Sequence, residues 1–169
     1  MRNFVGAYFT RVLSYPLWRF ILELTVVCFI AKVISSIVLG AVLYQIGLKF
    51  YSADLDFNKN LIQTNMLLSI LSIPFFAIQE TLWGQAFLLW VSSKFTSNDA
   101  IRITFATILF SLAHVDIFQI IAVWPIAAIL TWVFITKRKQ SFWSAFWITS
   151  TIHILHNYLA MLFLWISLR

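Results

Sequence analysis

The chain has 169 residues, of which 62% are apolar and 11% charged, with a mean hydropathy of +0.90 and a net charge of +6. Soluble domains run at about 45–50% apolar and about 25% charged, so a soluble globule is excluded, and a disordered chain with it. What remains is an all-α polytopic bundle of transmembrane helices: one integral membrane domain over residues 1–169, with room for five or six spans of about 20 residues.

Residues 1–20 carry Arg2, Arg11 and several aromatics but no continuous apolar stretch before a cleavage site, so they read as an interfacial segment leading to Pro16, not a secretory signal. The first apolar run, 24–48, contains Lys32 and the single cysteine, Cys28, which reads as a buried small hydrophobe. A polar loop is expected over 49–60. The next run, 61–93, would be roughly 50 Å long as a helix, more than a hydrocarbon core of about 30 Å. It is expected either to tilt or to break near Pro74. After a loop at 94–100 come 101–114, closed by Asp116, then 117–136 with Pro125 inside, a basic turn at 137–139, and a last span over 142–167. The runs are too long, and lack the period-two alternation, for strands.

Basic residues gather at the ends of these runs, as anchors at anionic headgroups do, and point to the bilayer and not to nucleic acid as partner. Five spans with a cytoplasmic N-terminus would put eight basic residues inside and three outside; six spans would give seven and four. The charge rule weakly prefers five. The eight tryptophans are expected at lipid-facing or interfacial positions.

The polar residues inside the apolar runs carry the functional information, because an ionisable group in the bilayer is costly and is retained for a reason. Glu80 alone among the six acidic residues lies deep in a run; His114, His153 and His156 lie in runs or at their ends. If 94–102 and 137–139 lie on one side of the membrane, Glu80, His114 and His153 fall about 21, 18 and 21 Å from that side at 1.5 Å per residue. One carboxylate and two imidazoles thus reach a common level, roughly 10 Å below the opposite surface. His153 and Asn157 are four residues apart, as are Phe110 and His114, and each pair shares a helix face. Such a set can activate water, the carboxylate taking a proton while imidazoles and an amide stabilise an oxyanion. It could instead bind a divalent metal, although no thiolate or third well-placed ligand completes a tight zinc site, so no cofactor is expected.

The motifs FSLAH at 110–114 and HILHN at 153–157 follow the segment QETLWGQ at 79–85. Together, over residues 74–160, they resemble the CAAX protease and bacteriocin-processing family of intramembrane proteases, related to the type II prenyl-protein endopeptidases. That family carries Glu-Glu-x-x-x-Arg, Phe-x-x-x-His and His-x-x-x-Asn on successive helices. The first motif departs here and aligns in two ways. In one, Gln79 and Glu80 stand for the glutamate pair and Gly84 for the arginine. In the other, Glu80 is the first glutamate, Thr81 replaces the second and Gln85 the arginine. The second is preferred because it loses both halves of a buried ion pair together and strands no charge.

The resemblance implies an intramembrane endopeptidase acting on a membrane-anchored protein or peptide, such as a C-terminal sorting or processing tail, in a bacterial inner membrane. Glu80 would be the base, His114 would hold the water or polarise the carbonyl, and His153 with Asn157 would stabilise the oxyanion. Thr81, Gln85 and Phe110 would support them, and His156 would be structural. Two rivals stand beside this reading: an inactive relative acting as a binding or immunity protein, and a proton-coupled carrier subunit.

Overall fold

A computed structural model describes residues 4–47, 53–114 and 116–168; Arg2, Lys49 and Arg169 of the charge tally lie outside it. It is all helical among the described residues: α1 (Phe4–Val12), α2 (Leu17–Gln45), α3 (Ala53–Thr64), α4 (Met66–Glu80), a π-helical segment (Thr81–Phe87), α5 (Leu88–Ser92), α6 (Asp99–Leu112), α7 (Ile117–Arg138) and α8 (Phe142–Ser167). Among the described residues three stretches are long and apolar enough to cross a membrane: α2, the rod from Met66 to Ser92, and α7.

Residues 53–60, expected in a loop, are helical instead. The segment is part of an amphipathic helix, α3, whose Ile62 is buried. The chain breaks at Asn65, not near Pro74. The Asn65 side chain caps α4 by accepting from the Leu68 N–H at 3.0 Å, which satisfies one of the free donors of the new helix. Pro74 stays inside α4. A proline removes the N–H that would reach the carbonyl four residues back, here Ile70, and the Tyr158 hydroxyl of α8 donates to that carbonyl at 3.0 Å. The rod therefore runs unbroken, and the proline's freed acceptor ties α8 to α4.

α7 is the central helix, packed on α2, α6 and α8. One core gathers Ala86, Leu89, Ala106, Phe110, Ala127 and Phe134 between the π-helical segment, α5, α6 and α7. A second joins α1 and α2 to the other face of α7 and α8, and Cys28 is fully buried in it. α1 is docked, not loose: Val12 is buried and Phe9 packs on Trp132 with ring centroids 4.4 Å apart. Burial, with the nearby Glu23 carboxylate, pushes the Tyr8 phenol up to about 12. Six of the eight tryptophans, and the α2 face carrying Val26, Ile30, Ile34 and Val38, remain exposed. In a bilayer these surfaces meet lipid.

The two basic connections lie at one end of the bundle. Asp99 pairs with Arg102 at 3.2 Å and with Lys139 at 3.0 Å, so 94–102 and 137–139 share a face. The Lys137 ammonium sits 4.2 Å over the Phe20 ring, which brings the start of α2 to the same end.

Candidate active site

Glu80 is the last residue of α4, and the π-helical turn follows it directly. Single π turns inside α-helices frequently occur at functional sites, because the inserted residue re-aims the side chains around it. Here Thr81, Gly84 and Gln85 are buried, while Leu82, Trp83 and Phe87 face outward.

Glu80 Oε2 lies 3.3 Å from His153 Nε2, and Thr81 Oγ1 lies 3.5 Å from His153 Nδ1. With the carboxylate ionised, the consistent neutral tautomer has Nε2–H donating to Glu80 and Nδ1 accepting from the Thr81 hydroxyl. Two neighbouring residues of one helix thus hold the buried His153 ring at both nitrogens. The Thr81 hydroxyl reaches α8, and Gln85 makes no hydrogen bond among the described residues, so these two polar side chains are not joined to each other.

Phe110 fixes the other wall. Its ring fills the space over Gly84, where even a Cβ would collide with ring carbons Cδ2 and Cε2. The ring lies 5.5 Å from the His114 imidazole and 6.4 Å from that of His153, edge-on to both. His114, expected at the end of its run, stands just past the end of α6, where its Nδ1 is 3.3 Å from the Phe110 carbonyl. It remains within electrostatic reach of Glu80. Asp116 turns out to be a cap: its carboxylate accepts from the Gln119 N–H at 2.7 Å and starts α7.

Glu80 and Asn157 open into a cavity of about 780 Å³ between α2, α3, α4 and α8. The wall is mostly aliphatic and aromatic, with Phe29, Ile73, Phe76 and Met161, and it carries Lys32 from α2. Lys32 acts on Glu80 through space. Glu80 also keeps its contact with the His153 ring, Oε2 to Nε2 at 3.3 Å. His156 is buried with its ring 6.5 Å from that of Phe29, and neither of its nitrogens has a partner among the described residues.

The structure brings Glu80, Thr81 and His153 into contact, sets Phe110 and His114 beside them, and places Asn157 in the shared cavity. Gln85 and His156 lie beyond this contact set. Among the described residues no three of His, Cys, Asp or Glu are arranged to hold a metal ion together. Sequence reasoning missed the packing role of Gly84 and the cross-link from Tyr158. The signal for the second was present, a proline inside an apolar run with a tyrosine at matching depth on another. Compared with family models, with curated proteins and with solved structures, the chain matches none.

Proposed function

We propose that this protein is an intramembrane endopeptidase of the glutamic type, similar in plan to the CAAX protease and bacteriocin-processing family. The observation that carries the reading is the Glu80–His153–Thr81 chain of contacts at the inner end of an apolar cavity. A carboxylate beside a positioned imidazole, in a site shielded from bulk water, is suited to general-base work on a bound water.

In this reading a membrane-anchored peptide lies in the cavity with its scissile carbonyl between Glu80 and His114. Glu80 takes a proton from water as the water oxygen bonds to the carbonyl carbon. His114 and the Asn157 amide bear on the oxyanion. The C–N bond then breaks, and the proton held by Glu80 goes to the leaving amine. His153 orients the carboxylate throughout, kept in its tautomer by Thr81; its contact with Glu80 favours this part over direct oxyanion stabilisation. The burial of both Thr81 and Gln85, and the lack of room at Gly84, favour the alignment in which Thr81 and Gln85 replace the family's ion pair.

In this reading the chain crosses the membrane five times, α6 and α8 crossing beside the three long apolar stretches α2, Met66–Ser92 and α7, with the basic end in the cytoplasm of a bacterial cell. The cavity, lined by the far halves of α2 and α8, then opens toward the outer leaflet. A processing tail anchored there is the substrate class that fits. The neutral pair at Thr81 and Gln85 favours one other reading, an inactive relative that binds such a tail without cutting it.

The test is reconstitution in liposomes with a library of membrane-anchored peptides, mapping new termini by mass spectrometry. Cleavage by wild type that falls roughly 10²-fold or more in Glu80→Gln supports the proposal. Equal cleavage by both proteins refutes it, and peptide capture without cleavage by either selects the binding protein.

A further inference from the structure

The outward face of the π-helical segment carries a second concavity, of about 500 Å³, that shares no lining residue with the Glu80 cavity. The local sequence shapes it. Leu82, Ala86 and Trp90 recur every four residues, as do Trp83 and Phe87, so the five gather on one side of the rod, and all of them line the concavity. Ala86 is the one small side chain among them and is nearly covered, while the four large ones around it are each about half exposed. A short residue ringed by long ones leaves a trough. Phe142 at the start of α8 and Arg138 at the end of α7 add to the lining from the neighbouring helices. The volume falls in the range of small-ligand sites, about 300–1,000 Å³.

The trough has an apolar length and a basic end. Trp90 and Trp83 precede Lys94 by four and eleven residues. At 1.5 Å per residue they stand about 6 and 17 Å from the basic face. That is the hydrocarbon depth of one leaflet, half of a core of about 30 Å. The Phe87 and Trp90 rings are stacked with centroids 6.0 Å apart, and the Lys94 ammonium lies 5.0 Å over the Trp90 ring. Arg138 is the one charged residue of the lining among the described residues. Asp99, at this face, is already paired with Arg102 and Lys139. Neither Arg138 nor Lys94 has an ion-pair partner among the described residues.

We propose that the trough holds one acyl chain of an anionic phospholipid of the leaflet at the basic end, with its phosphate on the Arg138 guanidinium and the Lys94 ammonium. Methylenes lying along Leu82, Trp83 and Phe87 give the lining the contacts that an unfilled concavity forfeits. The planar fork of a guanidinium matches two phosphate oxygens. Two cations with no carboxylate opposite them select a headgroup of net negative charge, whereas a zwitterionic one brings its own cation to the same place. The site stands apart from the hydrolase reading and needs no peptide in the other cavity.

Quenching by brominated lipid tests it on the full chain in bilayers. Phosphatidylglycerol or phosphatidylcholine, each brominated in mid-chain, is added to unlabelled phosphatidylcholine. The emission of Trp83 and Trp90 is isolated as the difference between wild type and Trp83→Phe with Trp90→Phe. Brominated phosphatidylglycerol should quench that emission at a mole fraction at least about fivefold lower than brominated phosphatidylcholine. Arg138→Gln with Lys94→Gln should bring the two lipids to near parity. Arg19→Gln, beside Phe20 at the same end but outside the trough, should leave the preference as it was. Equal quenching of the isolated emission by the two lipids would overturn the proposal without any charge variant. So would a preference that survives Arg138→Gln with Lys94→Gln, or one that Arg19→Gln weakens as much, since that is a general attraction to the basic end.

Discussion

Gly84→Ala adds a single methyl at the tightest point of the site. The new Cβ would lie on the Phe110 ring, colliding with Cδ2 and standing 2.6 Å from Cε2 and 3.1 Å from Cγ. These are carbons of a rigid ring held in the core and not the free end of a flexible chain, so relief requires the ring, or the packing of α6, to move. Overpacking of this kind costs about 1–3 kcal/mol. Against it, Ala gains up to about 1 kcal/mol over Gly in a helix interior. The net loss is up to about 2 kcal/mol, or a fall in Tm of up to about 8 °C for a chain of this size. Because Phe110 also flanks His114 and His153, the proposed cleavage should fall in Gly84→Ala even where the protein is fully folded. The assay is thermal unfolding in detergent followed by intrinsic fluorescence, repeated in a Phe110→Ala background. With the ring gone, the three atoms nearest the added methyl are gone with it, so Gly84→Ala should cost much less there. If the substitution costs as much without the ring as with it, the clash is not the reason for glycine at this position.

Other consequences follow from particular contacts. Tyr158→Phe leaves the Ile70 carbonyl without its donor and should destabilise by about 1–3 kcal/mol; Pro74→Ala restores an N–H to that carbonyl and should recover most of the loss, whereas equal losses in both backgrounds would show the bond to be idle. Thr81→Val removes the hydroxyl that holds His153 Nδ1 and should shift the His153 ring nitrogens in 15N NMR while cutting cleavage about tenfold, and Thr81→Ser should restore both. Tyr8 has its phenol raised from 10.0 to about 12, so the stabilisation it gives is complete below pH 10 and is lost as pH rises toward 12. Tyr8→Phe should therefore flatten the fall in thermal stability over that window, and an unchanged profile would show that another group is responsible.

The membrane class of this chain was legible in composition, because no fold can hide so many apolar residues behind so few polar ones. The common depth of Glu80, His114 and His153 was legible too, since a helix converts residue count into height at a constant rise. What counting could not supply was azimuth. Residue number does not say which way a side chain points around a helix whose neighbours are unknown, still less where a π turn re-aims it. So the contact of His153 with both Glu80 and Thr81, the burial of His156 beside Phe29, and the closure of Gly84 by Phe110 were decided by packing alone. The same holds for Pro74. Its sequence signature left a tilted rod and a break both open; a break is needed only where the freed carbonyl finds no partner, and Tyr158, 88 residues from Ile70, supplies one. Local chemistry set which groups had to be satisfied; the tertiary structure chose what satisfies them.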